Sequence, residues 1–178
     1  MKRYVCLLRA INVSGQRKIK MLELRELCQA LKFSDVETYL QSGNIILSTQ
    51  KSQQAVEKEL SKSISQEFGY ADIDIFTWTA IELQKVYDAN PFIKSNSDPS
   101  KLHFTFLNQK PNSKAIASLD KTRFLPDEFS VSGKVVFVYC PTGYGRTKIN
   151  NSFFERKLKL RATTRNLKTI KNLIELAS

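Results

Sequence analysis

The chain has 178 residues, 42% of them hydrophobic and 25% charged, with 28 lysines and arginines against 17 acids and a formal net charge of +11. That length buries a real core as one domain or two small ones, and the composition is that of an ordinary globular protein rather than a disordered or fibrous one. No apolar run approaches ~18 residues, which excludes a membrane-spanning helix, and the run 4–8 is cut by Arg9 too soon for a signal peptide.

The first expected element is a short strand over 3–8, apolar enough to lie inside a sheet. Residues 9–20 form a polar loop with Arg9, Arg17, Lys18 and Lys20 and no acid. A helix follows, with Met21, Leu24, Leu27, Cys28 and Leu31 on one face. Strand, basic loop and helix in that order can converge backbone N–H groups and cations on an anion. Residues 35–40 read as a second strand, 41–44 (Gln-Ser-Gly-Asn) as a tight turn and 45–49 as its return strand. Gly43 and Asn44 suit the positive φ that such turns demand. A second helix starts near Gln53, with Val56, Leu60, Ile64 and Phe68 inward, and Gly69 closes it. A strand over 72–77 completes the order βαββαβ, the split pattern of a ferredoxin-like unit.

Thr79 and Glu82 match a capping box, so a helix is expected to about Asp88, where Asn90-Pro91 stops it. Residues 95–100 read as a linker. A strand over 101–108, a helix from Pro111-Asn112 to about 119, and a hairpin of 128–131 with 135–139 around Ser132-Gly133 come next. A glycine-rich loop (141–148), a helix (151–160), an extended piece (161–164) and a final helix follow. Asn166 would cap that last helix, whose apolar face is Leu167, Ile170, Leu173, Ile174 and Ala177. The fold expected is α+β: two ferredoxin-like units, 1–78 and 101–178, standing apart or exchanging elements, joined by a helix and linker (79–100), with an extra C-terminal helix.

Charge is uneven along the chain. Residues 1–77 carry 11 basic and 9 acidic side chains, 78–178 carry 17 and 8, and nine bases meet one acid over 146–171. Such asymmetry points to a polyanionic partner or a phosphorylated ligand. The loop 143–148 brings glycines together with Arg146 and Lys148, but it lacks the spacing of a P-loop or a dinucleotide fingerprint. Thr163, Thr164, Arg165 and Asn166 precede a helix start, where they could hold an oxyanion or simply cap the helix. His103 stands without a serine or cysteine partner and reads as structural. Asp72 and Asp74 on one side of a strand fit either an acid–base or metal pair or a solvated edge. The three cysteines, odd in number and widely spaced, read as buried small hydrophobes, and a single histidine argues against zinc. No nucleophile–base–oxyanion constellation and no RNA-stacking signature is recognisable.

The stretches LLRAINVSG, MLELRELCQALKFSDVETYLQSGNIIL, NPF and GRTKINNSFFERKLKLRATTRN resemble the bacterial domain-of-unknown-function family numbered 1697. Members read LLRGINVGG, M-x-ELR, TYxQSGN and ATxRNWNT. The resemblance implies two ferredoxin-like α+β units and no defined activity. Its motif residues fall on Arg9, Asn12, Gln41, Ser42, Gly43, Asn44, Arg165 and Asn166. This chain departs at Ala10 and Ser14, where glycine is usual, and at Leu167, where tryptophan is common.

The function expected is that of a basic, cytoplasmic, non-enzymatic anion-binding protein, its partner a nucleic acid or a phosphorylated small molecule. Two other readings stay open: an enzyme acting on a small phosphorylated or carboxylated substrate between the two units, and an interaction scaffold without a ligand. The anion-binding set is Arg9, Asn12, Lys20, Gln41, Ser42, Asn44, Arg146, Lys148, Arg165 and Asn166, with no metal, cofactor or membrane partner. Arg9, the 41–44 turn and Arg165 are expected to form one polar site where the units meet. The topology alone is not expected to bring Arg9 and that turn to the same end of a sheet.

Overall fold

Two four-stranded antiparallel sheets and seven α-helices make up this α+β protein, in a computed structural model that describes residues 1–13, 15–71, 73–95 and 97–178. By its internal contacts the chain divides into unit 1, Met1–Gln84 with Leu173–Ser178, and unit 2, Lys85–Asn172.

Unit 1 runs β1 (Lys2–Leu8), α1 (Met21–Ala30), β2 (Ser34–Tyr39), β3 (Asn44–Thr49), α2 (Gln53–Phe68), β4 (Ile75–Thr79) and the start of α3 (Ala80–Asp88). Its strands lie in the order β2-β3-β1-β4. Alternation sets the core: Tyr4, Cys6 and Leu8 of β1 and Ile45 and Leu47 of β3 meet Leu24 and Cys28 of α1 and Val56, Leu60 and Ile64 of α2. Local chemistry fixes the helix ends. Ala55 N–H donates to the Ser52 hydroxyl (3.3 Å) at the start of α2, and Gly69 closes it with φ of 71°. At α3, Thr79 N–H donates to Glu82 Oε2 (2.8 Å) and Glu82 N–H to Thr79 Oγ1 (3.2 Å), a complete capping box. Arg3 fastens the C-terminal residues to the sheet, its Nε and Nη2 donating to the Leu176 carbonyl at 3.2 and 3.1 Å.

Unit 2 contains α4 (Pro91–Lys94), β5 (Leu102–Leu107), α5 (Ser113–Ala117), β6 (Glu128–Ser132), β7 (Val135–Tyr139), α6 (Asn151–Leu158), β8 (Ala162–Asn166) and most of α7 (Leu167–Ala177). Short 3-10 turns occupy Pro99–Lys101 and Tyr144–Arg146. The strand order is β6-β7-β5-β8. Leu107, Val136, Val138, Cys140 and Ala162 of one sheet face form a core with Phe129, Phe153, Phe154 and Leu158. Phe129 packs edge-on to Phe154 with ring centres 5.5 Å apart.

Several expected boundaries shift for local reasons. The strand expected over 72–77 is instead Ile75–Thr79, and the Asp74 carboxylate just before it stands 3.8 Å from the Arg9 guanidinium. Asp72 lies outside the described residues. The sequence Asn90-Pro91 ends α3 but also opens α4, with Asn90 Oδ1 accepting from Phe92 N–H (2.9 Å) and Pro91 at the first helical position. In the 41–44 turn the positive φ falls on Gly43 (75°) and on Leu40 before it (58°), while Asn44 already belongs to β3. Helix α6 stops at Leu158 because Lys159 takes the left-handed position (φ 57°), and β8 extends through Arg165 to Asn166.

Candidate functional site

The predicted polar residues gather at one end of each sheet. In unit 1, β1 and β2 both run antiparallel to β3, so both finish at the same end. The topology therefore brings Arg9 and the 41–44 turn together, contrary to the expectation from sequence. Leu8 N–H donates to the Gly43 carbonyl (2.8 Å), and Arg9 N–H to the Asp74 carbonyl (2.9 Å). Asn12 joins the loop to the turn: its Nδ2 donates to Gln41 O (2.8 Å) and Ile19 O (2.9 Å), and its Oδ1 accepts from Ile19 N–H (2.9 Å). Asn44 is fully buried, its Nδ2 donating to Tyr39 O (2.8 Å) and Ser42 Oγ (3.0 Å). The Arg9 guanidinium stands 3.8 Å from the Asp74 carboxylate, and Lys20 pairs with Glu23 at 3.1 Å. Of the predicted set, Arg9, Asn12, Gln41, Ser42 and Asn44 thus meet at one pole. The amides of Asn12 and Asn44 are committed to building it.

In unit 2 the glycine-rich loop leaves β7 at the end where β8 finishes, since Leu102 faces Tyr139 and His103 faces Asn166 across β5. The loop is strapped down at two points. Tyr144 stacks on His103 with ring centres 4.4 Å apart, and its hydroxyl accepts from Asn151 N–H (3.1 Å). Beneath it the Thr105 and Thr164 hydroxyls bond at 2.8 Å. Thr147 Oγ1 donates to Asp127 Oδ2 (2.6 Å). Between and beyond these fastenings Arg146 and Lys148 are exposed. Burial raises the pKa of the Tyr144 phenol and lowers that of His103, which leaves the imidazole neutral at pH 7.

Arg165 is buried on β8, its Nη1 donating to Thr163 Oγ1 (2.8 Å) and Thr164 O (2.9 Å). Burial lowers its pKa to about 10, so it stays cationic at neutral pH. Asn166 caps α7, its Oδ1 accepting from Thr169 N–H (2.8 Å). Arg9 belongs to unit 1 and Arg165 to unit 2. Leu167, at the position where tryptophan is common, lines a groove of about 340 Å³ with Tyr87, Ile93, Ser97, Asp98, Pro99 and Leu102. That groove has one acid, two hydroxyls and no cation in its lining, which does not suit an anion.

Sequence reasoning missed how completely the charge sorts by unit. Unit 1 carries 11 basic and 11 acidic side chains; unit 2 carries 17 basic and 6 acidic ones, a balance of +11. Over 146–171 the one acid, Glu155, turns inward, its Oε1 accepting from Ala162 N–H (2.8 Å), while Arg156, Lys157, Lys159 and Lys168 are exposed. The three cysteines are free and buried, and burial raises every thiol pKa, to about 12 for Cys28 and about 11 for Cys140. Such thiols are poor nucleophiles at neutral pH. Among the described residues no three His, Cys, Asp or Glu side chains gather as a metal set, and no helix is long and apolar enough to cross a membrane.

A search of curated proteins finds no match. Among solved structures the chain is similar to a conserved bacterial protein, SP0830, from Streptococcus pneumoniae, at 22% identity and a TM-score of 0.76, over 99% of this chain and 98% of that one. At that identity the likeness speaks for the fold alone. A family model described as "Protein of unknown function (DUF1697)" matches residues 1–137. The chain belongs to the DUF1697 family.

Proposed function

We propose that the protein is a basic anion-binding protein whose second unit engages nucleic acid. The observation that carries this reading is the charge of unit 2, with 17 basic side chains against 6 acidic ones beside a unit 1 of zero balance. A nearly threefold excess of cations over acids on one unit is the electrostatic footprint of a phosphate-backbone partner. Arg146 and Lys148 on the strapped loop, with Arg156 and Lys157 on α6, are the contacts this reading requires. Each unit is read as ferredoxin-like, which the element order βαββαβ and the strand orders β2-β3-β1-β4 and β6-β7-β5-β8 support. A cytoplasmic setting is supported by three free, buried thiols.

Fluorescence anisotropy with labelled single- and double-stranded oligonucleotides, at roughly 50 and 200 mM salt, tests the reading. Binding should be weak, fall by more than about tenfold between the two salts as counterion release requires, and drop further in the Arg156→Glu/Lys157→Glu variant. An absence of binding at the lower salt ends the nucleic-acid reading.

A further inference from the structure

Unit 1 has no net charge, yet it holds two guanidinium nitrogens in want of an acceptor. Arg17 Nη1 and Arg25 Nε are both shut off from solvent, and neither has a hydrogen-bond partner. A guanidinium is always charged and always a donor, so a buried N–H of this kind left unanswered is costly. Other arginines of this unit are answered: Arg3 donates to Glu37 at 2.7 Å, and Arg9 stands 3.8 Å from Asp74.

The two residues bracket the start of α1. Arg17 lies in the loop that precedes it, and its carbonyl accepts from Asn12 N–H at 3.1 Å. Arg25 lies in the second turn of the helix, where side chains lean toward the N-terminus, the end that Arg17 precedes. Glu23, Glu26 and Leu27 turn to a groove against α2, which puts Arg25 on the other flank of α1, away from those carboxylates. Between residues 9 and 20 there is no acid at all, and Lys18 and Lys20 are exposed there.

Asn12 and residues 15–20 are held in place before any ligand arrives. Asn12 is tied to Ile19 and to the Gln41 carbonyl, and the Tyr70 hydroxyl donates to the Lys18 carbonyl at 3.1 Å. Ile11 is packed so closely on Gly43 that a Cβ there would lie 2.5 Å from Ile11 Cδ1. A pre-set loop with unanswered arginines is the arrangement that binds an oxyanion with little ordering cost.

We propose that residues 15–20 and the first turns of α1 form a discrete site for one phosphoryl group, held by Arg17 and Arg25. A dianion matches two guanidinium groups better than a single carboxylate does. This site is independent of the basic surface of unit 2, and its failure would leave the nucleic-acid reading untouched.

Isothermal titration calorimetry of the intact chain with inorganic phosphate, at constant ionic strength set by sodium chloride, tests it. The variants are Arg17→Gly, Arg25→Gln and, as a control in unit 2, Arg156→Gln/Lys157→Gln. Glycine is chosen at 17 because the residue sits at φ of 47°, where glycine is unstrained. Saturable phosphate binding is expected in the wild type and the control, weakened by at least about tenfold in either arginine variant. Melting curves without phosphate check the fold, and Arg17→Lys, which keeps the charge but loses the planar fork, serves if Arg17→Gly does not fold. No saturable binding in the wild type overturns the proposal. So does binding that survives the arginine variants, or binding that falls equally in the control.

Discussion

Gly43 and Gly15 have nearly the same backbone, φ of 75° and 74°, and very different surroundings. A Cβ on Gly43 would come within 2.9 Å of Leu8 Cβ as well as striking Ile11, whereas nothing lies within 4 Å of one on Gly15. Gly15→Ala therefore costs only the left-handed strain, about 1 kcal/mol, while Gly43→Ala adds a clash and should cost about 2–4 kcal/mol. Urea denaturation of both variants measures the difference, and equal losses would contradict the close approach of Ile11. His103 gives a residue-scale effect of pH. Its pKa is lowered in the folded chain, chiefly by burial, so the unfolded chain takes up the proton first. Its contribution to stability is whole above the unfolded value of 6.5 and is lost as the pH falls through the lower folded value. Stability should decline below pH 6.5 for this reason, and His103→Gln should flatten that part of the profile.

At the scale of elements, the glycine-rich loop behaves as a strap. Thr147→Val removes the hydroxyl that donates to Asp127 and leaves a carboxylate in a buried setting, at a cost of about 1–3 kcal/mol by chemical denaturation. Tyr144→Phe keeps the stack on His103 but loses the acceptor for Asn151 N–H and the hydroxyl's bonding to Thr164 and Thr105, and should also cost about 1–3 kcal/mol. What was legible in the sequence at this scale was whatever local chemistry decides. The capping box of Thr79 and Glu82, the left-handed Gly69 and the four-residue spacing of Val56, Leu60 and Ile64 announce α2 and α3 unaided. The four-residue helix α4 is too short to show a period, so the same Asn-Pro pair that signals a stop also conceals a start. Lys159 ends α6 in a conformation that glycine usually takes, which no propensity rule would single out. The polar pole of unit 1 was half legible. Arg9, Asn12 and the 41–44 turn stand out by residue type, but an amide that fastens a loop and one that greets a ligand look alike as letters. Arg17 and Arg25 were not singled out as a pair, because the burial of a single nitrogen leaves no pattern along the chain.

For the whole molecule, charge is the organising property. The gradient from the first half of the chain to the second can be read by counting, but the sorting into a balance of zero and a balance of +11 needs the grouping of Leu173–Ser178 with unit 1, which brings Glu175 with it. Long-range contacts make that grouping, such as the hydrogen bonds of Arg3 to Leu176, and they leave no local trace. Self-repulsion within unit 2 should make the fold salt-dependent: raising sodium chloride screens like charges beyond a Debye length of ~10 Å at 0.1 M, so the melting temperature should rise with salt at neutral pH. A melting temperature that falls with added salt would mean that attractive pairs outweigh the repulsion.

The strapped loop bears on how the folded chain would meet a protease. Trypsin cleaves after lysine and arginine, and this sequence offers 28 such residues. Exposure alone does not make a cleavage site, because the protease needs several residues of backbone to open and lie extended in its cleft. Arg146 and Lys148 are exposed, but the backbone beneath them is tied down by Tyr144 and Thr147. Their peptide bonds should therefore outlast the early cuts in a timed digestion followed by mass spectrometry. In Tyr144→Ala, with the stack on His103 gone, the same two bonds should move to the front of the order.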